Sequence, residues 1–198
     1  MRCVHVAPFR HATDLASRGV RQALRVNTTR LVSLDDGPAL TRLAVVNREF
    51  MAPTSPHRDD AFFTEEGQRA LVAAALDAHR AGTTLPHVIV DGDRVVGRIT
   101  LNEIVRGPFL SCHLGYWVAE RDNGRGVASA AVRDIVQVAF GELGLHRIQA
   151  GTLLTNVASQ RVLQRNGFER IGLAPAYLRI AGSWQDHLLF QLLNPAWA

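Results

Sequence analysis

The stretch RDNGRGVASAA, residues 121–131, places two glycines two positions apart at a change of sequence pattern. The residues before it, LGYWVA (114–119), are almost entirely apolar, which is typical of a buried strand. From residue 127, VASAAVRDIVQVAFGEL repeats apolar side chains at i, i+3 and i+4, which indicates a helix with one buried face. The stretch therefore predicts a strand, a glycine turn and a helix, an order in which the free amides of the helix N-terminus can bind a phosphate.

Three interpretations of this turn compete. A dinucleotide-binding fold of the Rossmann type is excluded, because residues 120–123 separate the strand from the glycines and the preceding strands form a meander. In the second interpretation the glycines only permit a tight turn. In the third, Gly124 and Gly126 leave room for an anion, and Arg121 and Arg125 add positive charge at the rim. The residues of the turn alone leave the last two interpretations open.

The segments before the turn predict two helices and a strand meander. A strand at TRLVSL (29–34) precedes a helix through ALTRLAVVNREF (39–50). After the proline-broken segment MAPTSPHRDDAFFT (51–64), EEGQRALVAAALDAHRAG (65–82) is a second helix. The Asp91-Gly92 pair then predicts a hairpin between the next two strands. The second helix is expected to bury an apolar face formed by Leu71, Ala74, Ala75 and Ala78.

The chain after the turn completes a single domain. Its helix is followed by a strand at HRIQAGTL (146–153), a short helix ending at Asn166-Gly167 and a hairpin around Gly182. The whole order predicts one α/β domain over residues 29–198, with a mixed central sheet and helices on both faces. Residues 1–28 are a basic extension, expected to be partly disordered or loosely packed.

The composition limits the chemistry. All 22 basic residues among the 198 are arginine, and the net charge is +4. Without lysine the chain has neither a P-loop lysine nor a Schiff-base nucleophile. The positive charge is modest and dispersed, which favours an anionic cofactor or an acidic partner over direct nucleic-acid binding.

Location and metal content are also predicted from sequence patterns. No apolar run approaches the roughly 20 residues of a membrane helix, and the N-terminus lacks the apolar core of a secretory signal. We therefore expect a cytoplasmic protein that does not bind membranes. Cys3 and Cys112 stand alone and no paired Cys/His spacing occurs, so we expect no metal site and two reduced thiols.

The glycine turn also resembles a known signature. The run Asn123-x-x-Gly126-x-Ala128 is similar to the (Gln/Arg)-x-x-Gly-x-(Gly/Ala) signature of the GNAT N-acetyltransferases, although Asn123 replaces the usual Gln or Arg. The element order of residues 29–198 matches that superfamily. Five segments (VRGPF, LGYWV, NGFERIG, YLRIAGSWQDHLLF and NPAW) resemble the RimJ/RimL branch of ribosomal-protein N-terminal acetyltransferases, and most closely its alanine-specific RimJ type.

This resemblance implies acetyl-CoA as cosubstrate, with its pyrophosphate on the glycine turn. It also implies that strands LGYWV and HRIQA splay apart, so that the pantetheine arm lies between them and accepts main-chain hydrogen bonds from Trp117 and Val118. Asn156, which precedes a helix, is either an N-cap or a further contact to the arm. The implied cofactor-binding residues are Trp117, Val118, Arg121, Asn123, Gly124, Arg125, Gly126, Val127, Ala128, Ser129 and Asn156.

The resemblance supplies catalytic candidates as well, namely Ser159, Asn156 and Glu103. Ser159 is either the proton donor to the CoA thiolate or an ordinary serine of the first helical turn. The proton acceptor is Glu103 or His113, and each has a structural alternative, a solvated loop carboxylate and a structural histidine. The absence of an obvious strong general base bears on which amine is acetylated. An α-amine with a pKa near 7.8 is roughly 10% neutral at pH 7, whereas a lysine amine near 10.4 is about 0.04% neutral, so an N-terminal amine can manage with a weak base.

The acceptor is expected to approach along the proline-broken segment, where Phe50, Pro53 and Arg58 are the candidate contacts. Tyr116, with Tyr177 and Trp184, either lines this slot or packs in the core. Oligomeric state is not predicted by the sequence.

The leading function is acetylation of a protein N-terminus, with ribosomal proteins as the prime target. One alternative is acetylation of a small amine such as an antibiotic or a polyamine, for which acidic residues offer carboxylates at the approach. A second alternative is a non-catalytic module that binds acyl-CoA or ribosomes. The acidic residues in question are Asp59, Asp60, Glu65 and Glu66.

Overall fold

Seven strands form one mixed sheet in the computed structural model, which describes residues 28–197. The strand order is β1-β2-β3-β4-β5-β7-β6, and every neighbouring pair is antiparallel except β4 and β5. This confirms the predicted mixed sheet. The strands are β1 (Thr29–Leu31), β2 (Leu85–Asp91), β3 (Arg94–Val105), β4 (Ser111–Val118), β5 (Arg147–Leu153), β6 (Glu169–Ile180) and β7 (Ser183–Leu193).

Helices cover both faces of the sheet, as predicted. On one face α4 contributes buried residues such as Val132 and Ile135 to the larger hydrophobic core. On the other face Leu40 of α1 and Val72 of α3 pack on Val88 of β2 in a smaller cluster. The helices are α1 (Gly37–Val46), α2 (Arg48–Met51), α3 (Glu65–Arg80), α4 (Val127–Gln137), which continues as a π turn (Val138–Glu142), and α5 (Val157–Arg165).

The basic extension lies outside the described residues apart from Thr28, whose N–H and hydroxyl both donate to Asp134 of α4 at 2.6 Å. Among residues 28–197, no helix has the length and apolarity needed to cross a membrane. The same residues contain no group of three or more His, Cys, Asp or Glu side chains that could hold a metal ion.

Helix α3 turns a different face to the sheet from the one predicted. Its buried residues are Gln68 and Val72, whereas Leu71 is 38% exposed and the alanine face borders open space. Gln68 is accommodated because its side-chain amide donates to the carbonyl of Phe62 at 2.6 Å. The prediction was wrong because alanine occurs on most sides of this helix, so apolar periodicity does not single out one face.

The helix predicted through Phe50 is interrupted at Asn47, so α1 and α2 are separate. Asn47 is buried, and its side-chain amide donates to the carbonyl of Leu43 at 2.8 Å. Its side-chain oxygen accepts the N–H of Glu120 at 2.8 Å. This contact joins the end of α1 to the short turn that leads into the glycine turn.

Strands β4 and β5 separate along most of their length. They pair only at residues 111–113 of β4 and 147–149 of β5, and the remainder of the two strands forms no ladder. Separation leaves main-chain donors and acceptors on both inner edges without strand partners. The predicted splayed pair is therefore confirmed, and a gap leads from His113 toward the glycine turn.

Candidate active site

The glycine turn presents an uninterrupted row of main-chain amides. Gly124 has φ 75° and Gly126, the N-cap of α4, has φ 81°, in the left-handed region that favours glycine. The first helical hydrogen bond runs from the N–H of Ala130 to the carbonyl of Gly126. The amides of residues 124–129 consequently have no acceptor within residues 28–197.

This row of amides borders open space. A Cβ built on Gly124 or on Gly126 would meet nothing within 4 Å. The amides also stand at the positive end of the α4 dipole, which favours an anion. The left-handed φ values favour glycine for the turn itself, and the same geometry leaves the amides open to a pyrophosphate.

Asp122 anchors the arginines of the turn. Its buried carboxylate accepts from Arg94 at 3.2 Å, from Arg125 at 3.1 Å and from Arg121 at 3.4 Å. Burial opposes its ionisation, but Arg94 and then Arg121 outweigh burial, so the pKa of Asp122 lies below the ordinary 3.8. Asp91 lies 3.1 Å from Arg94 and 3.3 Å from Arg125. With three guanidinium groups and two carboxylates, this cluster keeps one net positive charge beside the turn.

We expect Asp122→Asn to lower the free energy of unfolding by about 2 kcal/mol near neutral pH, because a charged acceptor shared by several donors is lost. The sign of the pH dependence follows from the lowered pKa. Folding stabilises the ionised form, so the contribution is complete above the ordinary 3.8 and is lost as the pH falls through the lower folded-state pKa. Urea unfolding should show the two proteins converging as the pH is lowered below the ordinary 3.8. A difference that stays constant over this range would contradict the assignment.

The edge of β4 that faces the gap offers unpaired main-chain groups. Residues of an antiparallel strand turn their N–H and C=O alternately toward and away from the partner strand. Ala119 donates to β3, and the carbonyl of Trp117 lies against Gly97 of β3. The main-chain N–H and C=O of Trp117 therefore face β3, whereas those of Tyr116 and Val118 face the gap. Val118 is in position for the main-chain role predicted for it, which stays a prediction, whereas the main-chain groups of Trp117 face β3 and not the gap.

Tyr116 and Ser159 bring two hydroxyl groups together beside the gap. The Tyr116 hydroxyl lies 2.8 Å from Oγ of Ser159 and 3.3 Å from the Ser159 carbonyl oxygen. Burial raises the pKa of Tyr116 to about 12, although the hydrogen bond with Ser159 opposes the shift. Tyr116 packs against the core on the α4 face, which is not the α3 face that borders Arg58. Tyr116 therefore lies beside Ser159 and away from Arg58, and its contact with the acceptor stays a prediction.

Asn156 caps helix α5. Its side-chain oxygen accepts the N–H of Ser159 at 3.1 Å, which confirms the N-cap alternative. This bond holds the first turn of the helix that carries Ser159. A contact from Asn156 to the cofactor arm stays a prediction. Asn123, by contrast, turns its side-chain amide back toward the carbonyls of Val118 and Ala119, at 3.4 and 3.3 Å.

Glu103 and His113, the two candidate proton acceptors, are neighbours. Nδ1 of His113 lies 2.9 Å from Oε2 of Glu103, without the alignment of a hydrogen bond. Glu103 has φ 51° at an irregularity in the β3–β4 ladder, which turns its side chain toward His113. His113 is the last residue of β4 that pairs with β5. The two groups therefore meet where β4 and β5 begin to separate, at the end of the gap opposite the glycine turn.

The proline-broken segment and the β6–β7 hairpin meet on one side of the molecule. The N–H of Ala181 in the hairpin donates to the carbonyl of Ser55 at 3.1 Å. Arg58 stacks on the ring of Phe62 at 4.7 Å and borders two shallow cavities. Phe50 and Pro53 are exposed and line neither of these cavities.

The remaining predicted aromatic residues differ in their surroundings. Tyr177 lies over Gly151 of β5, where a Cβ would stand 3.5 Å from its ring, and 5.5 Å from the ring of His187. Tyr177 therefore packs over β5, and its contact with the acceptor stays a prediction. Trp184 is 66% exposed, so core packing is wrong for it.

Sequence reasoning missed three residues that shape this region. Asp122 lies within the stretch at residues 121–131, and its position between Arg121 and Arg125 was the available signal. Arg98 lines one of the two cavities that Arg58 borders, and its charge inside the apolar strand RVVGRITL was a second signal. Asn47 gave no local signal, because its partner Glu120 is 73 positions away.

The chain matches the acetyltransferase (GNAT) domain over residues 28–169. The ribosomal protein uS5-alanine N-acetyltransferase of Escherichia coli (strain K12) is 32% identical over 170 residues, which cover 85% of this chain and 88% of the relative. The crystal structure of ribosomal-protein-S5-alanine acetyltransferase from Vibrio fischeri superposes with a TM-score of 0.81 at 32% identity, covering 86% of this chain and 94% of that one. Mycobacterium smegmatis RimJ in complex with CoA-disulfide gives a TM-score of 0.81 at 30% identity, covering 83% and 80%. The RimJ/RimL resemblance is thus confirmed, and the chain belongs to the GNAT acetyltransferases and is an N-acetyltransferase.

Proposed function

We propose that this chain transfers the acetyl group of acetyl-CoA to the N-terminal α-amine of a protein, with a ribosomal protein as the prime acceptor. The observation that carries the proposal is the row of free amides at residues 124–129, which stands at the open end of the gap between β4 and β5. The Escherichia coli relative is named for acetylating ribosomal protein uS5 at alanine, and the Mycobacterium smegmatis structure holds CoA-disulfide. We place the reaction in the cytoplasm, where acetyl-CoA and nascent proteins meet.

The cosubstrate supplies an activated acetyl group as a thioester. The amides of residues 124–129 would hold its pyrophosphate, and the charge of Arg121 and Arg125 would add to the field of the helix. The main-chain groups of Tyr116 and Val118 would hydrogen-bond the pantetheine amides, which replaces the ladder that the strands do not form. Both parts of the cofactor site therefore consist of main-chain groups. Their hydrogen bonds do not depend on the side chain at the first signature position, which is Asn123 here.

Two pairs of side chains divide the proton transfers. The amine nitrogen bonds to the thioester carbon as the carbon–sulfur bond breaks, so one proton leaves the amine and one reaches the sulfur. Glu103 and His113 would take the amine proton, directly or through water, at the end of the gap where β4 and β5 meet. Ser159 would donate to the sulfur, Tyr116 would orient Ser159 and return a proton to it, and Tyr116 would then regain a proton from solvent. Because the raised pKa keeps Tyr116 protonated at neutral pH, its hydroxyl can act as a donor.

The polyamine alternative requires free carboxylates at the approach, and two of the four candidates are engaged elsewhere. Asp59 caps the turn that follows it by accepting the N–H of Phe62 at 3.1 Å. Asp60 pairs with Arg48 at 2.9 Å. Arginines rather than carboxylates border the cleft next to this segment. The charge at the approach thus favours a neutral or acidic acceptor.

An acceptor panel tests the proposal. The purified chain is incubated with acetyl-CoA and Ala-, Ser- or Met-starting peptides, the same peptides with a blocked N-terminus and an internal lysine, and small amines. Release of free thiol is followed. We expect turnover on free α-amines to exceed that on lysine by at least about a hundredfold at neutral pH, because far more of the α-amine is neutral. Turnover only on small amines would favour that alternative, and CoA binding without turnover on any amine would favour the non-catalytic module.

A further inference from the structure

A cleft of about 360 Å³ lies on the sheet face that α3 covers. Its floor is β3, which contributes Arg98, Thr100 and Asn102. One wall is the alanine face of α3 that was predicted to be buried, and the other is formed by Arg58 and Phe62. The cleft therefore combines an apolar wall with a basic floor and rim.

The two arginines of this cleft lack carboxylate partners within residues 28–197. Arg98 is half-buried, and burial, followed by repulsion from Arg58, lowers its pKa. Arg58 stacks on the Phe62 ring and is otherwise exposed. A partly desolvated cation without a counter-charge is costly, and two neighbouring cations increase that cost. A carboxylate lying between the two guanidinium groups would offset both effects through charge-assisted hydrogen bonds.

One strand, β4, separates the strand that floors the cleft from the reaction gap. Arg98 stands directly opposite Trp117, and Asn102 directly opposite His113. The other edge of β4 borders the gap. With strands about 4.8 Å apart, the part of the gap beside Tyr116, one residue along β4 from the partner of Arg98, lies roughly 10 Å from Arg98. An extended peptide advances about 3.4 Å per residue, so this distance corresponds to about three residues.

We infer that the acceptor polypeptide carries a carboxylate at about its third or fourth residue, and that Arg98 and Arg58 bind this carboxylate while the terminal amine enters the gap. The inference rests on the proposed function and specifies its substrate class, an acidic N-terminal segment. The apolar wall from α3 would contact the side chains between the amine and the carboxylate. The number of residues between the terminal amine and the carboxylate thus determines which N-terminal segments are bound.

Matched peptides test this inference. Each pair begins with alanine and differs only by Glu or Gln at one position from the second to the sixth. We measure kcat/KM by thiol release for the wild type, Arg98→Gln, Arg58→Gln and the control Arg133→Gln, which removes an exposed charge from α4. The wild type should prefer Glu over Gln roughly tenfold at the third or fourth position, mainly through KM. The ratio should approach one in Arg98→Gln and Arg58→Gln, and persist in Arg133→Gln.

The outcomes separate this inference from the function on which it rests. Equal rates on Glu and Gln peptides at every position would overturn the inference and leave N-terminal acetylation standing. A preference that survives both cleft substitutions would also overturn it. Absence of turnover on every peptide would overturn the proposed function and the inference together. If thermal melts show that Arg98→Gln does not fold, the exposed Arg58→Gln decides the question.

Discussion

Replacing Gly126 by aspartate should weaken acetyl-CoA binding far more than replacing it by asparagine. Gly126 has φ 81° and borders open space at the head of α4. Asn and Asp tolerate the left-handed region similarly, so the two variants share their conformational cost. They differ by one negative charge at the place proposed for the pyrophosphate. At an effective dielectric constant near 20, unit charges about 4 Å apart repel by about 4 kcal/mol, which exposure and salt reduce to about 2–3 kcal/mol.

That repulsion corresponds to a roughly 30- to 150-fold difference in Kd between the two variants. Titration calorimetry with acetyl-CoA measures it, and thermal melts without ligand serve as the control. Because a carboxylate at a helix N-terminus interacts favourably with the dipole, Gly126→Asp should be at least as stable as Gly126→Asn. Loss of binding without loss of stability is therefore the diagnostic pattern. Equal Kd values for the two variants would place the pyrophosphate elsewhere.

The order of elements was predictable because each signal for it is local. The turn at Asp91-Gly92 and the hairpin at Gly182 are set by neighbouring residues, and both glycines adopt positive φ. The change from strand to helix at the glycine turn depends only on a change of apolar period. The amide row at residues 124–129 was predictable for the same reason. Local patterns thus gave the fold and the part of the site that consists of main-chain groups.

The side-chain half of the site depends on contacts between distant residues. Tyr116 and Ser159 are 43 positions apart, and their hydrogen bond depends on how α5 packs beside β4. Glu103 meets His113 only because the β3–β4 register shifts between them. The face of α3 was mispredicted because alanine occurs on most of its sides and because Gln68 is buried with a hydrogen bond to Phe62, which helical periodicity does not encode. Register and packing, rather than residue type, decide these contacts.

Ser159→Ala should lower kcat about a hundredfold while leaving the Kd for acetyl-CoA nearly unchanged. The size of the effect is that of a lost general acid in a proton transfer. The Kd should change little because the amides at residues 124–129 and the edge of β4 are untouched. The N–H of Ser159 still reaches Asn156, so the helix cap is kept. Thiol release measures kcat, and a melt of each protein checks folding.

Tyr116→Phe tests the other half of this hydroxyl pair. It removes the partner that lies 2.8 Å from Oγ of Ser159, and we expect kcat to fall roughly tenfold, because Ser159 remains but is no longer oriented. Since the pKa of Tyr116 is raised to about 12, the wild type should lose no activity through ionisation of this group at neutral or mildly alkaline pH. A CoA analogue with a more acidic thiol should reduce the loss of kcat in both Ser159→Ala and Tyr116→Phe, because a more acidic thiol leaves with less need for protonation. If both variants keep wild-type kcat, or if the thiol acidity makes no difference, another group protonates the sulfur.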